Sequence, residues 1–166
     1  MSADSDEIVM VRDHLHDIPQ FALPAPYALR WYRPGDEQHW IDIHILADAP
    51  FTFGPELFRK EFGFDEQKLA QRQAYVVDGA GRPIGTASAW TDDPATDPQF
   101  AGYGRVHWVA ILPEHQGKGL SRPLLQAVLE RLHDLGHAQA YLDTSLKRPV
   151  AIHLYERFGF RRVVKL

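Results

Sequence analysis

The sequence predicts a single α/β domain with a mixed central sheet and helices on both faces. Three observations predict it. A β-rich run, Arg105–Leu112, passes through a glycine turn into a leucine-striped helix and then a further strand, Ala138–Asp143. That strand–helix–strand order implies a parallel pair joined by a crossover. Two apolar runs, Ala74–Val77 and Ile84–Trp90, flank Asp78-Gly79-Ala80-Gly81 and read as an antiparallel hairpin. A last helix, Pro149–Phe158, leads into a final strand, Phe160–Val164. At 166 residues, 45% hydrophobic and 24% charged, the chain can bury a core of its own.

Taken in order, residues 1–26 read as an N-terminal arm, partly extended or mobile, and residues 27–166 as the domain. Within the arm, Met1–Glu7 is polar, Ile8–Val11 has the composition of a short strand, and Pro19, Pro24 and Pro26 keep the chain extended. Tyr27–Arg33 reads as a strand that stops at Pro34-Gly35-Asp36. Asp36 is an expected N-cap for a helix whose buried face carries Trp40, Ile41, His44 and Ile45, ended by Pro50. A second helix is expected over Pro55–Phe62, with proline in its first turn and Gly63 at its exit. Asp65 would cap a further turn through Leu69. The segment Asp92–Gln99, with two prolines and three aspartates, is an irregular loop. Leu120, Leu124, Leu125, Val128, Leu129, Leu132 and Leu135 form one stripe of a long helix, and Gly136 stands at its exit.

Several function classes are excluded at this level. The 18 basic and 22 acidic residues give a net charge of −4 without any polybasic block, which argues against nucleic acid and membrane surfaces as partners. Cysteine is absent, and with it disulfides, thiolate metal sites and a cysteine nucleophile. No apolar run approaches a membrane span and the first residues are acidic, so a cytoplasmic protein is expected. The nine histidines include the pairs His14/His16, His39/His44 and His133/His137, but none has an accompanying ligand set, and no metal is expected. Ser121 and Ser145 lack a nucleophile-elbow context.

The chemistry-bearing stretch is Val109-Ala110-Ile111-Leu112-Pro113-Glu114-His115-Gln116-Gly117-Lys118-Gly119-Leu120-Ser121. A strand enters a turn with two glycines, and a long helix follows at once. Such a turn is an anion cradle: glycine lets a ligand approach the backbone, and the first N–H groups of the helix point outward. Lys118 and Arg122 would add charge, Pro123 suits a first turn, and Ser121 is a candidate N-cap. Two better-known phosphate motifs fail here. Leu112 stands where a P-loop needs its first glycine, and the dinucleotide fingerprint lacks its third.

This stretch resembles the acetyl-CoA site of the GNAT N-acetyltransferase superfamily, whose pattern is Gln/Arg-x-x-Gly-x-Gly/Ala after a strand and a proline. Gln116, Gly119 and Ser121 take the three positions, serine being the departure. Ala151-Ile152-His153-Leu154-Tyr155-Glu156-Arg157-Phe158-Gly159-Phe160 is similar to the family's Ala-x-x-Leu-Tyr-x-x-x-Gly-Phe helix, and Arg33-Pro34-Gly35-Asp36 to its entry into the first helix. The resemblance spans about residues 27–164. Arg148 stands where the family often has asparagine, and a last strand seen in many members is either missing or supplied from elsewhere.

The resemblance implies a GNAT-like acyl-CoA-binding fold and an N-acetyltransferase that takes acetyl-CoA as co-substrate. Val109, Ala110 and Ile111 would offer backbone groups to the pantetheine arm. The diphosphate would sit on the amides of Gln116, Gly117, Lys118, Gly119, Leu120 and Ser121, with Arg122 alongside. The acceptor, a small-molecule or peptide amine, would attack the thioester directly, so the lack of cysteine is no obstacle. A lysine-like amine is neutral only about once in several thousand molecules at pH 7, which calls for a general base. Tyr155 holds the family's general-acid position. His107, on the strand parity of Arg105 and Val109, and Asp143, at the end of the strand after the long helix, are the candidate bases. Trp31, Trp40, Trp90 and Trp108 are expected in the core, with Trp90 and Trp108 the pair that could wall an acceptor pocket instead. The alternatives are a catalytically silent acyl-CoA-binding or sensing domain and, from another class, an interaction module using Ile8–Pro26. The acceptor's identity carries no sequence code, and a homodimer has no signal for or against it.

Overall fold

The computed structural model describes residues 6–47 and 52–166. In chain order the elements are β1 (Glu7–Arg12), β2 (Ala28–Trp31), α1 (Asp36–Ala47), α2 (Pro55–Phe62), α3 (Glu66–Arg72), β3 (Gln73–Val77), β4 (Pro83–Trp90), β5 (Gly104–Ile111), α4 (Ser121–Asp134), β6 (Ala140–Ser145), α5 (Pro149–Arg157) and β7 (Arg161–Val163). Single 3-10 turns lie at Pro98–Phe100 and Pro113–His115. The strands form one mixed seven-stranded sheet in the order β2-β3-β4-β5-β6-β1-β7. β5 and β6 are the parallel pair, while β1 is antiparallel to both β6 and β7 and β2, β3 and β4 run antiparallel in turn. No helix among the described residues is long and apolar enough to cross a membrane.

The chain resolves into two compact units, each assembled from separated stretches. The first comprises the described residues of Gln20–Ser88 with Trp108–Val128; the second comprises those up to Pro19 with Ala89–His107 and Leu129–Leu166. β4, β5 and α4 each contribute to both.

In the first unit, α1 buries Asp36, Trp40, Ile41, Ile43 and His44. At 100° per residue, Ile45 lies about 140° from Trp40. It falls outside the buried arc and is 52% exposed, which corrects the expected face; Ile43 takes its place. Pro50 lies outside the described residues. Trp40 meets Phe53, Phe58, Phe62 and Trp108 edge-on, with ring centroids 5.4–5.7 Å apart. Each such pair adds about 0.5–1.5 kcal/mol beyond its buried area. α2 opens on Pro55 as expected, and the Gly63 N–H donates to the Arg59 carbonyl at 2.8 Å. Asp65 caps α3 by accepting from the Gln67 and Lys68 N–H groups, and the helix runs on to Arg72 rather than stopping at Leu69.

In the second unit, the segment expected to begin as an arm is built into the sheet. β1 is one residue longer at each end than the expected strand and lies between β6 and β7, with Val9 opposite Asp143 on one side and Val163 on the other. Val9 and Val11 are buried there with Phe100 and Tyr141. Residues 7–12 thus fill the place between β6 and β7 in the sheet. Gly104 allows the last turns of α4 close to β5. A Cβ at that position would stand 2.6 Å from a Leu132 methyl carbon, inside any tolerable contact.

Candidate functional site

The turn that follows β5 belongs entirely to the first unit. Its start is fixed by the Leu112 N–H, which donates to the Ile84 carbonyl of β4 at 2.8 Å. The Gln116 side chain folds back and donates through Nε2 to the Ile111 carbonyl at 2.9 Å, bracing the end of the strand. Gly117 and Gly119 then adopt φ of +75° and +76°, where a side chain would be strained. A Cβ at either would meet nothing within 4 Å, so the glycines border open space. Among the described residues, the N–H groups of Gly117, Gly119 and Leu120 make no backbone hydrogen bond. Lys118 and Arg122 flank them, and neither has a carboxylate partner among the described residues. Open space beside free N–H donors and Lys118 fits a diphosphate, so the donor set suits the CoA group that the motif implies. α4 begins at Ser121 itself.

Just before this turn, β5 departs from ideal geometry. Trp108 has φ of +52°, a region few non-glycine residues occupy. The distortion interrupts side-chain alternation between His107 and Val109. The parity expected to run from Arg105 through His107 to Val109 therefore stops at His107. The Trp108 indole N–H donates to Glu61 Oε1 at 3.2 Å, and its ring lies edge-on to His44 and Phe53 with centroids 5.4 and 5.8 Å away. Trp108 is half-buried and Trp90 is buried. Val109 is half-buried, and Ala110 and Ile111 are buried. β5 pairs with β6 only at Gly104–Ala140 and Arg105–Tyr141.

The catalytic candidates lie in the second unit. His107 is buried on β5, 6% exposed. Asp143 is engaged: Arg105 donates to its Oδ2 at 2.5 Å and to both Asp92 oxygens at 3.2 and 3.3 Å. Tyr141 completes this cluster by donating its hydroxyl to Asp92 and lying under the Arg105 guanidinium at 5.5 Å. Burial and the hydrogen bond to Asp92 push the Tyr141 hydroxyl well above its ordinary pKa. Sequence reading did not assemble this cluster, since Asp92 and Asp143 lie 13 and 38 residues from Arg105.

Tyr155 presents the opposite condition. It is buried on α5, its ring 6.0 Å from Phe160, and its hydroxyl makes no hydrogen bond among the described residues. Tyr27, Tyr32, Tyr75 and Tyr141 all place their hydroxyls on internal partners. Burial pushes the Tyr155 hydroxyl up to about 12, opposed by the charge of Arg148, the residue that stands in the family's asparagine place. No group of three or more His, Asp or Glu among the described residues is arranged to hold a metal ion.

Comparison with known proteins agrees with the motifs. Residues 24–160 match the description "Acetyltransferase (GNAT) family". A mycothiol acetyltransferase of Pseudarthrobacter chlorophenolicus is 32% identical over 150 residues, spanning 88% of this chain and 46% of the relative. One from Rhodococcus jostii is 29% identical over 168 residues, spanning 94% and 53%. The chain thus spans about half the length of the curated relatives it matches. Among solved structures, a GCN5-related N-acetyltransferase of Sphaerobacter thermophilus shares the fold with a TM-score of 0.75 at 23% identity, over 95% of this chain and 48% of that one. The ribosomal-protein-S18-alanine N-acetyltransferase of Escherichia coli gives 0.67 at 20% identity, over 83% and 79%. With a family match over most of its length and both motifs in place, the chain belongs to the acetyltransferase (GNAT) family.

Proposed function

We propose that the chain transfers an acetyl group from acetyl-CoA to a primary amine. One observation carries the proposal: among the described residues the turn after β5 offers three N–H groups without a backbone partner, two glycines bordering open space, and Lys118 without a carboxylate partner. When bound, acetyl-CoA supplies an acyl carbon activated as a thioester. The free N–H groups of Gly117, Gly119 and Leu120, with Lys118, would hold the diphosphate, whereas the Gln116 N–H already donates to the Pro113 carbonyl at 3.2 Å. The main chain of Val109, Ala110 and Ile111 would line the pantetheine arm.

The acceptor nitrogen attacks the acyl carbon, and the C–S bond breaks. Tyr155 would give its proton to the departing sulfur, a role suited to a hydroxyl carried on a buried ring and making no hydrogen bond among the described residues. For the base, we assign His107, buried on β5, to accept the ammonium proton, with Asp143, whose Oδ2 accepts from Arg105, as the second candidate. The relatives named for mycothiol make an acceptor related to that molecule the first to test.

The test is isothermal titration with CoA, followed by thiol release from acetyl-CoA across a panel of primary amines. Binding and amine-dependent release are expected. Binding without release on any amine would leave a silent acyl-CoA-binding domain; absence of binding would remove the reading.

A further inference from the structure

CoA carries two separate phosphate groups, a diphosphate and a monoester on the ribose 3′ oxygen, and a single turn of amides serves only the first. This inference rests on the CoA reading above and concerns the second. The ion-paired arginines of the chain show what Arg122 lacks. Arg30 grips Asp36 at 2.7 and 3.0 Å, Arg105 holds Asp92 and Asp143, and Arg161 grips Asp13 at 2.8 Å through two nitrogens. Arg122 has no carboxylate among the described residues, yet its side chain has a fixed support. The guanidinium lies over the Phe21 ring, 5.6 Å from its centroid.

Phe21 is itself tied down. Its backbone N–H donates to Gln126 Oε1 at 2.6 Å, and Gln126 Nε2 donates to Gln20 Oε1 at 2.9 Å. Gln126 stands four residues after Arg122, so both project from one side of α4. The segment ahead of β2 is therefore laced to the first turns of the helix, with an aromatic face beneath its arginine. Stacking occupies the face of a guanidinium and leaves its in-plane N–H donors free. A phosphate monoester carries about −1.5 to −2 charges near neutral pH and matches that fork.

We propose that the Arg122–Phe21 pair binds the 3′-phosphate of CoA, which places Gln20 and Phe21 in the co-substrate site. Arg122 thereby serves the monoester rather than the diphosphate, which is left to the amides and Lys118.

The experiment is titration of the full chain with CoA and with 3′-dephospho-CoA. The wild type should prefer CoA by about tenfold or more, the scale of a charge-assisted hydrogen bond. Arg122→Gln should bring CoA down to the affinity of dephospho-CoA and leave dephospho-CoA unchanged. Phe21→Leu, which keeps the cation but removes its platform, should lose part of the same preference. Equal binding of both compounds by the wild type overturns the proposal. So does Arg122→Gln weakening both by one factor, which would return the arginine to the diphosphate. In either case CoA still binds, whereas failure of both compounds to bind removes the CoA reading itself.

Discussion

The glycine turn after β5 and the Arg105 cluster are both dense in polar groups, and they treat those groups in opposite ways. In the cluster, Arg105 is shared by Asp92 and Asp143 and the Tyr141 hydroxyl is spent on Asp92. At the turn, three backbone N–H groups, Lys118 and the edge of Arg122 have nothing of their own to bind among the described residues. A polar group desolvated without a partner costs free energy, and a native chain leaves one so where a ligand completes it or water reaches it. Tyr155 belongs with the turn in one respect: its ring is buried, yet its hydroxyl makes no hydrogen bond among the described residues.

The largest effect that would break this contrast is filling the turn. Gly119→Trp should remove detectable CoA binding in a titration while the thermal midpoint falls only modestly. The new side chain enters open space, and the strain at φ +76° costs about 1–2 kcal/mol. Unchanged affinity would show that the free N–H groups serve water alone. Next in size, Tyr155→Phe should lower kcat about a hundredfold or more with little change in KM for acetyl-CoA. With its pKa pushed up to about 12, the hydroxyl stays protonated through the neutral range and well into the alkaline one. The wild-type kcat should therefore show no alkaline fall below roughly pH 10. Equal kcat in the phenylalanine variant would return Tyr155 to the core.

Closed clusters are the place for stability effects. Burial would raise the Asp36 carboxyl, but Arg30 and the Arg33 N–H more than offset this and hold it below the usual range. A lowered folded pKa gives stability that is present above the unfolded value and is lost as pH falls through the folded one. Asp36→Asn should cost about 2–3 kcal/mol in urea unfolding at pH 7, and that difference should shrink on acidification toward pH 2. A gap that persisted unchanged at low pH would mean the ion pair contributes nothing.

The same division explains what could be read ahead of the structure. Local rules sufficed for Pro55 and Gly63 around α2, for the Asp65 cap, for the leucine stripe of α4 and for the glycine turn, where periodicity and backbone preference act within a few residues. They failed where partners lie far apart in sequence. Nothing near Ile8–Val11 announces a place between β6 and β7, and nothing near Phe21 points to Gln126, 105 residues away. Ile45 went astray by one step of helical phase, because a stripe of four residues fixes the buried arc only loosely. Trp108 is a failure of another kind: its positive φ breaks an alternation that the apolar run of β5 suggests is continuous.

The smallest expected effect bears most directly on the contrast, because Asp143 was a candidate base and sits inside the closed cluster. Its side chain is 21% exposed, as is that of Arg105, so solvent screens the pair. Asp143→Asn keeps an oxygen to accept from Arg105 and leaves Asp92 as the remaining counterion. Its cost to stability should be about 1 kcal/mol or less in urea unfolding. If the cluster is structural, kcat on any amine that turns over should change by no more than a few-fold, and the acidic limb of its pH profile should stay in place. His107→Ala should instead remove that limb, since a base must be unprotonated to accept the ammonium proton. A large loss of kcat in Asp143→Asn at unchanged stability would reverse the assignment. Arg105 would then be a positioning residue that aims the base, and an ion-paired carboxylate would no longer distinguish scaffold from site in this molecule.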